Sequence, residues 1–295
     1  CALPEGSNWC SPATDAHCSK SDNCAEFGNC SFNGYSCVPG SAADCQASEG
    51  CKYQGSCTLA LGFCQPLMDS HCEASVNCGL LGACSFSGGS CAAASNEDCA
   101  TAEICTKAGH CSAESGLCVA LQDSDCSNSL ACVEQGLCSA ADGICVADSP
   151  ISCALSDDCG IFGACTLVGG QCQPASDEDC SAALVCKQSG YCGLVGEQCK
   201  PSNEDHCKGS LDCNQKGDCS LDANSCIPTE DSCAAATDCV SLGRCSLNSE
   251  WMTCAALKDA DCAGSELCSK QNQCKAVASC GSNDASCQLW GACKE

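Results

Sequence analysis

Large side chains are what this sequence has least of. Its 295 residues include five Phe, three Tyr and three Trp. A chain of this length would form one or two ordinary domains, but it lacks the bulk to fill their cores. Stability has to come from crosslinks, as in small secreted modules that bury too little apolar surface. Positive charge is scarce too. Twelve Lys and Arg stand against 37 Asp and Glu, and the net charge is −25. That excludes nucleic acid and anionic membrane as partners, because both need a basic face. No apolar run approaches the roughly 18 residues that would cross a bilayer, so no membrane insertion is expected. No leader is visible, and the start at Cys1 suits a processed terminus or an excerpt of a longer array. Close cysteine pairs are missing as well. Metal sites want ligands with two to four residues between them; here the smallest gap leaves five. Catalytic signatures (G-x-S-x-G, H-E-x-x-H, a phosphate loop) are absent.

What the sequence has is cysteine. There are 44, an even number that allows complete pairing. The density exceeds the level that marks a disulfide scaffold and survives in an oxidising compartment, secreted or at the cell surface. The spacing is regular. Cys18, Cys45, Cys72, Cys99, Cys126, Cys153, Cys180 and Cys207 are each 27 residues apart. Inside a unit the gaps repeat, as in Cys18, Cys24, Cys30, Cys37 and again in Cys99, Cys105, Cys111, Cys118, giving C-x5-C-x5-C-x6-C-x7. A fixed period of this size means a stacked array of one supersecondary unit. The register divides the chain into 14–40, 41–67, 68–94, 95–121, 122–148, 149–175, 176–202, 203–228, 229–257 and 258–279, with partial units at 1–13 and 280–295.

Each unit carries a helix start. Ser95 and Asp98, Ser41 and Asp44, and Ser176 and Asp179 have capping-box spacing. Ser149 precedes Pro150 at the first helical position, and Thr14, Asn203 and Thr229 fill the cap slot elsewhere. Met68, Gln122 and Lys258 do not suit that slot, and Asp69, Asp123 and Asp259 are expected to cap instead. The stop is a residue two before the third cysteine: Gly28, Gly55, Gly82, Gly109, Gly136, Gly163, Gly190, Gly217, Gly243, Asn272 and Gly291. Asparagine as the one alternative to glycine argues for a left-handed C-cap. A single helix of about ten to twelve residues is therefore expected. Turn pairs such as Asn33-Gly34, Asp142-Gly143 and Gly169-Gly170 follow, as in tight hairpins. The expected fold is small disulfide-rich α+β repeats, a solenoid-like tandem array of about ten 27-residue units, each a short helix plus a β-hairpin.

Two cysteines six apart on one helix lie about 9 Å apart along its axis and about 120° around it, too far for the roughly 7 Å Cα limit of a disulfide. Bonds from helix to hairpin are expected, some between consecutive units, with a third-to-fourth bridge less favoured. Units with an apolar residue before the cap glycine (Phe27, Phe162, Trp290) alternate with polar ones. These apolar residues either face inward or make lateral contacts, and an exposed stripe would favour contacts.

The ends are incomplete. Cys1 and Cys10 are spaced like a hairpin without its helix, and Cys287, Trp290, Gly291 and Cys293 like a helix end without its hairpin. Such ends suit head-to-tail joining of copies of the chain into an open filament. His17, His71 and His206 precede first cysteines and read as first-turn surface residues; His110 reads as incidental. Acidic clusters such as Asp177-Glu178-Asp179 are explained by helix caps and lack EF-hand spacing. No catalytic, cofactor or metal site is expected. Asn29-Cys30-Ser31 is a sequon, and Ser- or Thr-linked sugars are compatible with the composition, so glycans are among the partners the sequence allows.

The tandem cysteine period, small-residue richness and acidity resemble the cysteine-rich surface coats of ciliated protists, of the immobilisation-antigen type, and cysteine-rich repeat proteins of protist and algal extracellular hairs. The four-cysteine unit is shorter than the eight-cysteine unit of the best-known antigens. The resemblance implies a structural surface or appendage protein without catalysis. The leading expectation is an extracellular structural protein assembling head to tail into a filament or surface coat. The alternative is a binding module, an adhesin or receptor ectodomain using one face of the array. An inhibitor array would need a variable loop per unit, and only Asn248–Met252 offers one.

Overall fold

The structure is a computed structural model in which residues 12–277, 291, 293 and 294 are described. The chain forms two compact bodies, Cys1–Val133 with Leu137–Val146, and Glu134–Gly136 with Ala147–Glu295. Within each body the same unit recurs. The Cys99 unit has helices Asn96–Ala100 and Glu103–Ala108, then strands Ser112–Glu114 and Leu117–Val119. All ten sheets among the described residues are two-stranded. The order of helical part then hairpin is as expected.

The helical part is not one helix but two short ones. The break falls three residues after the first cysteine, at Ser21, Ser48, Ser75, Ala102, Ser129, Ser156, Ala183, Ser210, Ala236 and Ser265. This residue is extended (Ser48 φ −80°, ψ 155°; Ala102 φ −80°, ψ 149°). The serine hydroxyl works on both sides of the break. Ser48 Oγ donates to the Cys45 carbonyl (2.7 Å) and accepts from the Cys51 N–H (3.1 Å). It thus closes one helix and N-caps the next, satisfying backbone groups at both ends. The slot is buried, with Ser210 and Ala102 at 0 % exposure, so only small residues fit.

That break decides the disulfides. The second cysteine pairs with the third across the left-handed cap, as in Cys24–Cys30 and Cys105–Cys111. The first pairs with the fourth, on the second strand, as in Cys18–Cys37 and Cys99–Cys118. Every described cysteine is bonded. The exclusion of a first-to-second bond holds. The expected bridges between units do not form, because both partners lie within reach inside one unit: Cα atoms are 5.5 Å apart in Cys99–Cys118 and 4.5 Å in Cys105–Cys111. In the chain-entropy model the larger loop contributes about 3 kcal/mol and the smaller about 2 kcal/mol.

Hairpin register places the fourth cysteine mid-strand, with Ala113 opposite Cys118 and Glu114 opposite Leu117. Several turns are two residues with positive φ, such as Asp142-Gly143 (50°, 83°) and Gly169-Gly170 (60°, 83°), the geometry that matches strand twist. Leu61-Gly62 adopts it too (52°, 85°) although leucine is a poor left-handed residue. In the Cys18 unit the loop is longer, and Asn33 Oδ1 accepts from the N–H groups of Tyr35 and Ser36.

The core matches the composition. Its clusters each consist of a first cysteine, a fourth cysteine and one alanine, for instance Cys99, Cys118 and Ala93, with Ile104 and Ala113 packed alongside. First cysteines are all at 0 % exposure. A closed disulfide takes the place of the large side chains that the sequence lacks.

Partial proteolysis without reduction, followed by mass spectrometry, is expected to recover only first-to-fourth and second-to-third pairs within units. A bridge joining neighbouring units would contradict this fold.

Candidate functional site

The repeated feature with functional potential is the joint between consecutive units within each body. Its centre is the cap glycine. Gly109 has φ +75°, and a Cβ there would lie 2.5 Å from Cys145 Sγ and 3.0 Å from the Asp125 carbonyl oxygen, both in the next unit. Gly28, Gly163, Gly217 and Gly243 stand the same way against Cys64, Cys199, Cys254 and Cys293. The glycines from Gly28 to Gly243 are therefore left-handed caps, as the sequence implies, and most are also close-packing contacts, which the sequence does not announce. Asn272 (φ 60°) caps the last described helix, after which no further helix–hairpin unit follows among the described residues.

The C-terminal residues correct the sequence reading. Cys293 is not part of a helix end awaiting a hairpin. It bonds Cys262 and pairs opposite Ala276 in the last hairpin, as the fourth cysteine of that unit. Gly291 (φ 62°) stands two before that fourth cysteine, the sequence position that Gly116 and Gly143 hold in their units, and the residues that would form a helix before it lie outside the described residues. The partial unit at 280–295 thus donates a strand to the unit at 258–279. Cys1, Cys10, Cys287 and Trp290 lie outside the described residues.

A second link across the joint comes from the acid before the first cysteine. Asp98 Oδ2 accepts from the N–H groups of Ala94 and Ser95 (2.8 and 3.2 Å) and from Ser85 Oγ of the preceding hairpin (2.9 Å). Asp125, Asp179 and Asp261 take the corresponding hydroxyls of Ser112, Thr166 and Ser246. Burial pushes the Asp125 carboxyl up. Hydrogen bonds from Leu121, Ser112 and Gln122 outweigh that and hold it below its ordinary value. A third link depends on one residue. Ala93 and Ala120 donate their N–H to the turn carbonyls of Gly116 and Gly143 in the next unit (3.0 and 2.9 Å). Pro39, Pro66, Pro174, Pro201 and Pro228 fill the same slot and have no N–H to give.

Asp69, Asp123 and Asp259 do not cap their own helices. As first helical residues they reach the hairpin: Asp69 Oδ1 accepts from Phe86 N–H (2.7 Å), Asp123 from Ala140 (2.9 Å) and Asp259 from Ala276 (2.9 Å). Asp15, Asn96, Asp177 and Glu230 do the same. Sequence reasoning missed this role, although an acid or amide three before the first cysteine was its visible trace. His17, His71 and His206 are half-buried rather than plain surface residues. Each accepts at Nδ1 from the N–H four residues earlier, at 3.1, 3.2 and 3.3 Å.

At two joints the constant frame leaves a groove, and the two linings differ. A cavity of about 360 Å³ is walled by Phe162 and Pro174 of one unit and Val185 and Tyr191 of the next. The equivalent positions in the first body, Gln54, Pro66, Asn77 and Ala83, wall a more polar one of about 310 Å³. One joint is charged. Gln188 and Ser189 donate to Asp212 (3.0 and 2.7 Å), which pairs with Lys216 at 2.8 Å. Burial, together with repulsion from Asp212, pushes the Asp218 carboxyl up to about 6, against the pull of Lys216.

Of the apolar residues before the cap, Phe27, Leu81 and Phe162 are exposed (52 %, 48 % and 53 %) and Leu242 is half-buried. For the first three the side chains face outward. Among the described residues no helix is long and apolar enough to cross a membrane. Comparison with protein-family models, with curated proteins and with solved structures finds no match.

Two substitutions test the joint. Gly109→Asn keeps a residue that tolerates left-handed backbone, yet its Cβ meets Cys145 Sγ, so it is expected to cost about 1–3 kcal/mol. Gly89→Asn, left-handed with open space around it, should cost only a few tenths of a kcal/mol. Equal denaturation midpoints would show that the cap conformation alone matters. Asp218 gives a pH test. Its folded value is raised, so its stability contribution is complete below the unfolded carboxylate range and is lost as pH rises through about 6. Asp218→Asn is expected to stabilise on the order of 1 kcal/mol at pH 7.5, discounted for partial solvent screening, and to change little at pH 3.5.

Proposed function

We propose that the chain is an extracellular structural protein, a disulfide-stapled repeat array that joins copies of itself into a filament or surface coat. The observation that carries this reading is the recurrence of an exposed apolar side chain before the cap glycine (Phe27, Leu81, Phe162) on a frame whose every described cysteine is bonded. Singly exposed apolar residues are ordinary; their recurrence at one position of the repeat is what supports reading them as contact residues, within each body separately. The proposed contact is side by side. Closure of the last hairpin by Cys293 removes the C-terminal support for a head-to-tail exchange of helix and hairpin. Likeness to protist surface coats agrees with a non-catalytic role, as does the oxidising compartment that such bonding requires. Glycans on the outer face are compatible with this role.

The binding-module alternative draws on the joint cavity at Phe162, Pro174, Val185 and Tyr191, whose volume reaches the low end of ligand sites. Its neighbours keep the frame and change the lining, as reading surfaces in repeat proteins do.

With a net charge of −25, copies repel at low salt, so association should strengthen as salt screens them. Sedimentation and electron microscopy are expected to show salt-promoted assemblies. The triple variant Phe27→Ser, Leu81→Ser, Phe162→Ser should raise the concentration needed about tenfold or more. Monomers of the unaltered chain at high concentration and high salt would count against assembly, and would leave the binding reading standing.

A further inference from the structure

The position before the first cysteine divides the units by residue type. In five of them it is Asp44, Asp98, Asp125, Asp179 or Asp261, whose carboxylate has lone pairs for several donors. In three it is His17, His71 or His206, each accepting one backbone N–H, from Ala13, Leu67 and Ser202. We propose that the three histidine-headed units are acid-labile joints, which release their entry connector when the imidazole is protonated while the aspartate-headed units stay closed.

The argument is one of donors and acceptors. An imidazole that accepts at Nδ1 must be neutral, with its proton on Nε2. Protonation puts an N–H against the backbone N–H, and the cap is lost. Histidine is the side chain whose ordinary charge change falls between pH 5 and 8, and that of an ordinary carboxyl group falls below this range. The histidine joints also have less in reserve. The single Nδ1 lone pair is used on the N–H of the entry connector, whereas Asp98, Asp125, Asp179 and Asp261 additionally hold a hydroxyl of the preceding hairpin. At the joint before His206 that hydroxyl is gone. Gly193 replaces the serine or threonine found at this position in the hairpins from Ser31 to Ser246, and a Cβ on it would come within 3.2 Å of His206 Cε1.

The surroundings do not oppose the change. His17 shares its helix with Asp15, and the strand packed on that helix, Ser31–Phe32, is uncharged. His71 shares its helix with Asp69 and Glu73, and the elements packed on it, Val76–Leu81, Ser85–Ser87 and Ser90–Ala92, carry no charge. Around His206 stand Glu204, Asp205 and Lys208 on its own helix. Asp212 and Lys216 lie on the next helix and Asp222 on the hairpin, with Asp177 and Glu178 across a cleft of about 260 Å³. Carboxylates outnumber cations at each, so a charged ring finds partners outside the cap.

The test is hydrogen exchange of the whole, disulfide-intact chain at pH 7.5 and pH 5.0, corrected for the intrinsic pH dependence of exchange. Protection at 12–18, 66–72 and 201–207 is expected to fall about five- to tenfold at pH 5.0, the equivalent of one lost hydrogen bond. The corresponding segments ending at Cys45, Cys99, Cys126, Cys180 and Cys262 should be unchanged. His17→Asp, His71→Asp and His206→Asp together install the residue that the other units use and should abolish the response. Asp98→His should create a fourth labile segment. Uniform protection at both pH values, or an acid response that persists in the triple variant, would overturn the proposal.

Discussion

The bond between the first and fourth cysteines is the constraint on which the rest of the structure depends. It is the core of its unit, since little else there is both apolar and buried. It is also the floor on which the preceding unit stands, because the cap glycine of that unit rests against the fourth sulfur. One covalent link therefore fixes the fold of a unit and presents the surface that receives its neighbour. A hydrophobic core would need bulk that 27 residues cannot supply. A disulfide supplies closure in two side chains, and its fixed geometry suits a joint that leaves no room for a Cβ.

Much of this was legible in the sequence, and the illegible part has a common cause. The period, the order of helix and hairpin, the left-handed cap and the turn pairs are local, and they are written in residues whose backbone preferences are strong: glycine, asparagine, serine at caps. The pairing of cysteines is not legible from a continuous helical stretch, which keeps the first and second cysteines apart and says nothing of the second and third. The decisive residue was the small one three after each first cysteine. Ser48 or Ala102 in a run of helix-compatible residues looks neutral, since serine and alanine are both tolerated inside helices. Only its restriction to these two residue types in every unit betrays a buried break. The same blindness applies to Cys293. A chain break in the pattern cannot distinguish a new unit from an insertion within a hairpin, because the cysteine spacing of a second-to-third pair and of an inserted loop can coincide.

The joints are held by links of unequal strength, and their inequality follows from single residues. An alanine in the connector donates a backbone hydrogen bond to the next turn; a proline in the same slot cannot. An aspartate before the first cysteine bridges to the preceding hairpin; a histidine does not. These substitutions leave the disulfides and the cap untouched, so the fold tolerates them, while the stiffness of successive joints changes along the chain. Local stability in repeat proteins is set by such nearest-neighbour terms, and here the terms can be read unit by unit.

This separation of frame from lining bears on function. Cysteines, cap residues and the buried small residue are fixed by packing and have no freedom to carry specificity. The residues free to vary are those before the cap, those lining the groove and those at the hairpin tips, and they are where aromatic, apolar and charged side chains collect: Phe27 and Phe162, Tyr191, Leu61 and Phe63, Asp212 with Lys216. The distinctive side chains are thus spread over several positions of the repeat and not gathered at one point of the described chain. Surfaces of that type act through many weak, spaced contacts, and the avidity of such contacts depends on the spacing being held. Within each body the spacing is held by the joints, and the disulfides contribute by fixing each unit and by presenting the fourth sulfur against which the preceding cap glycine packs.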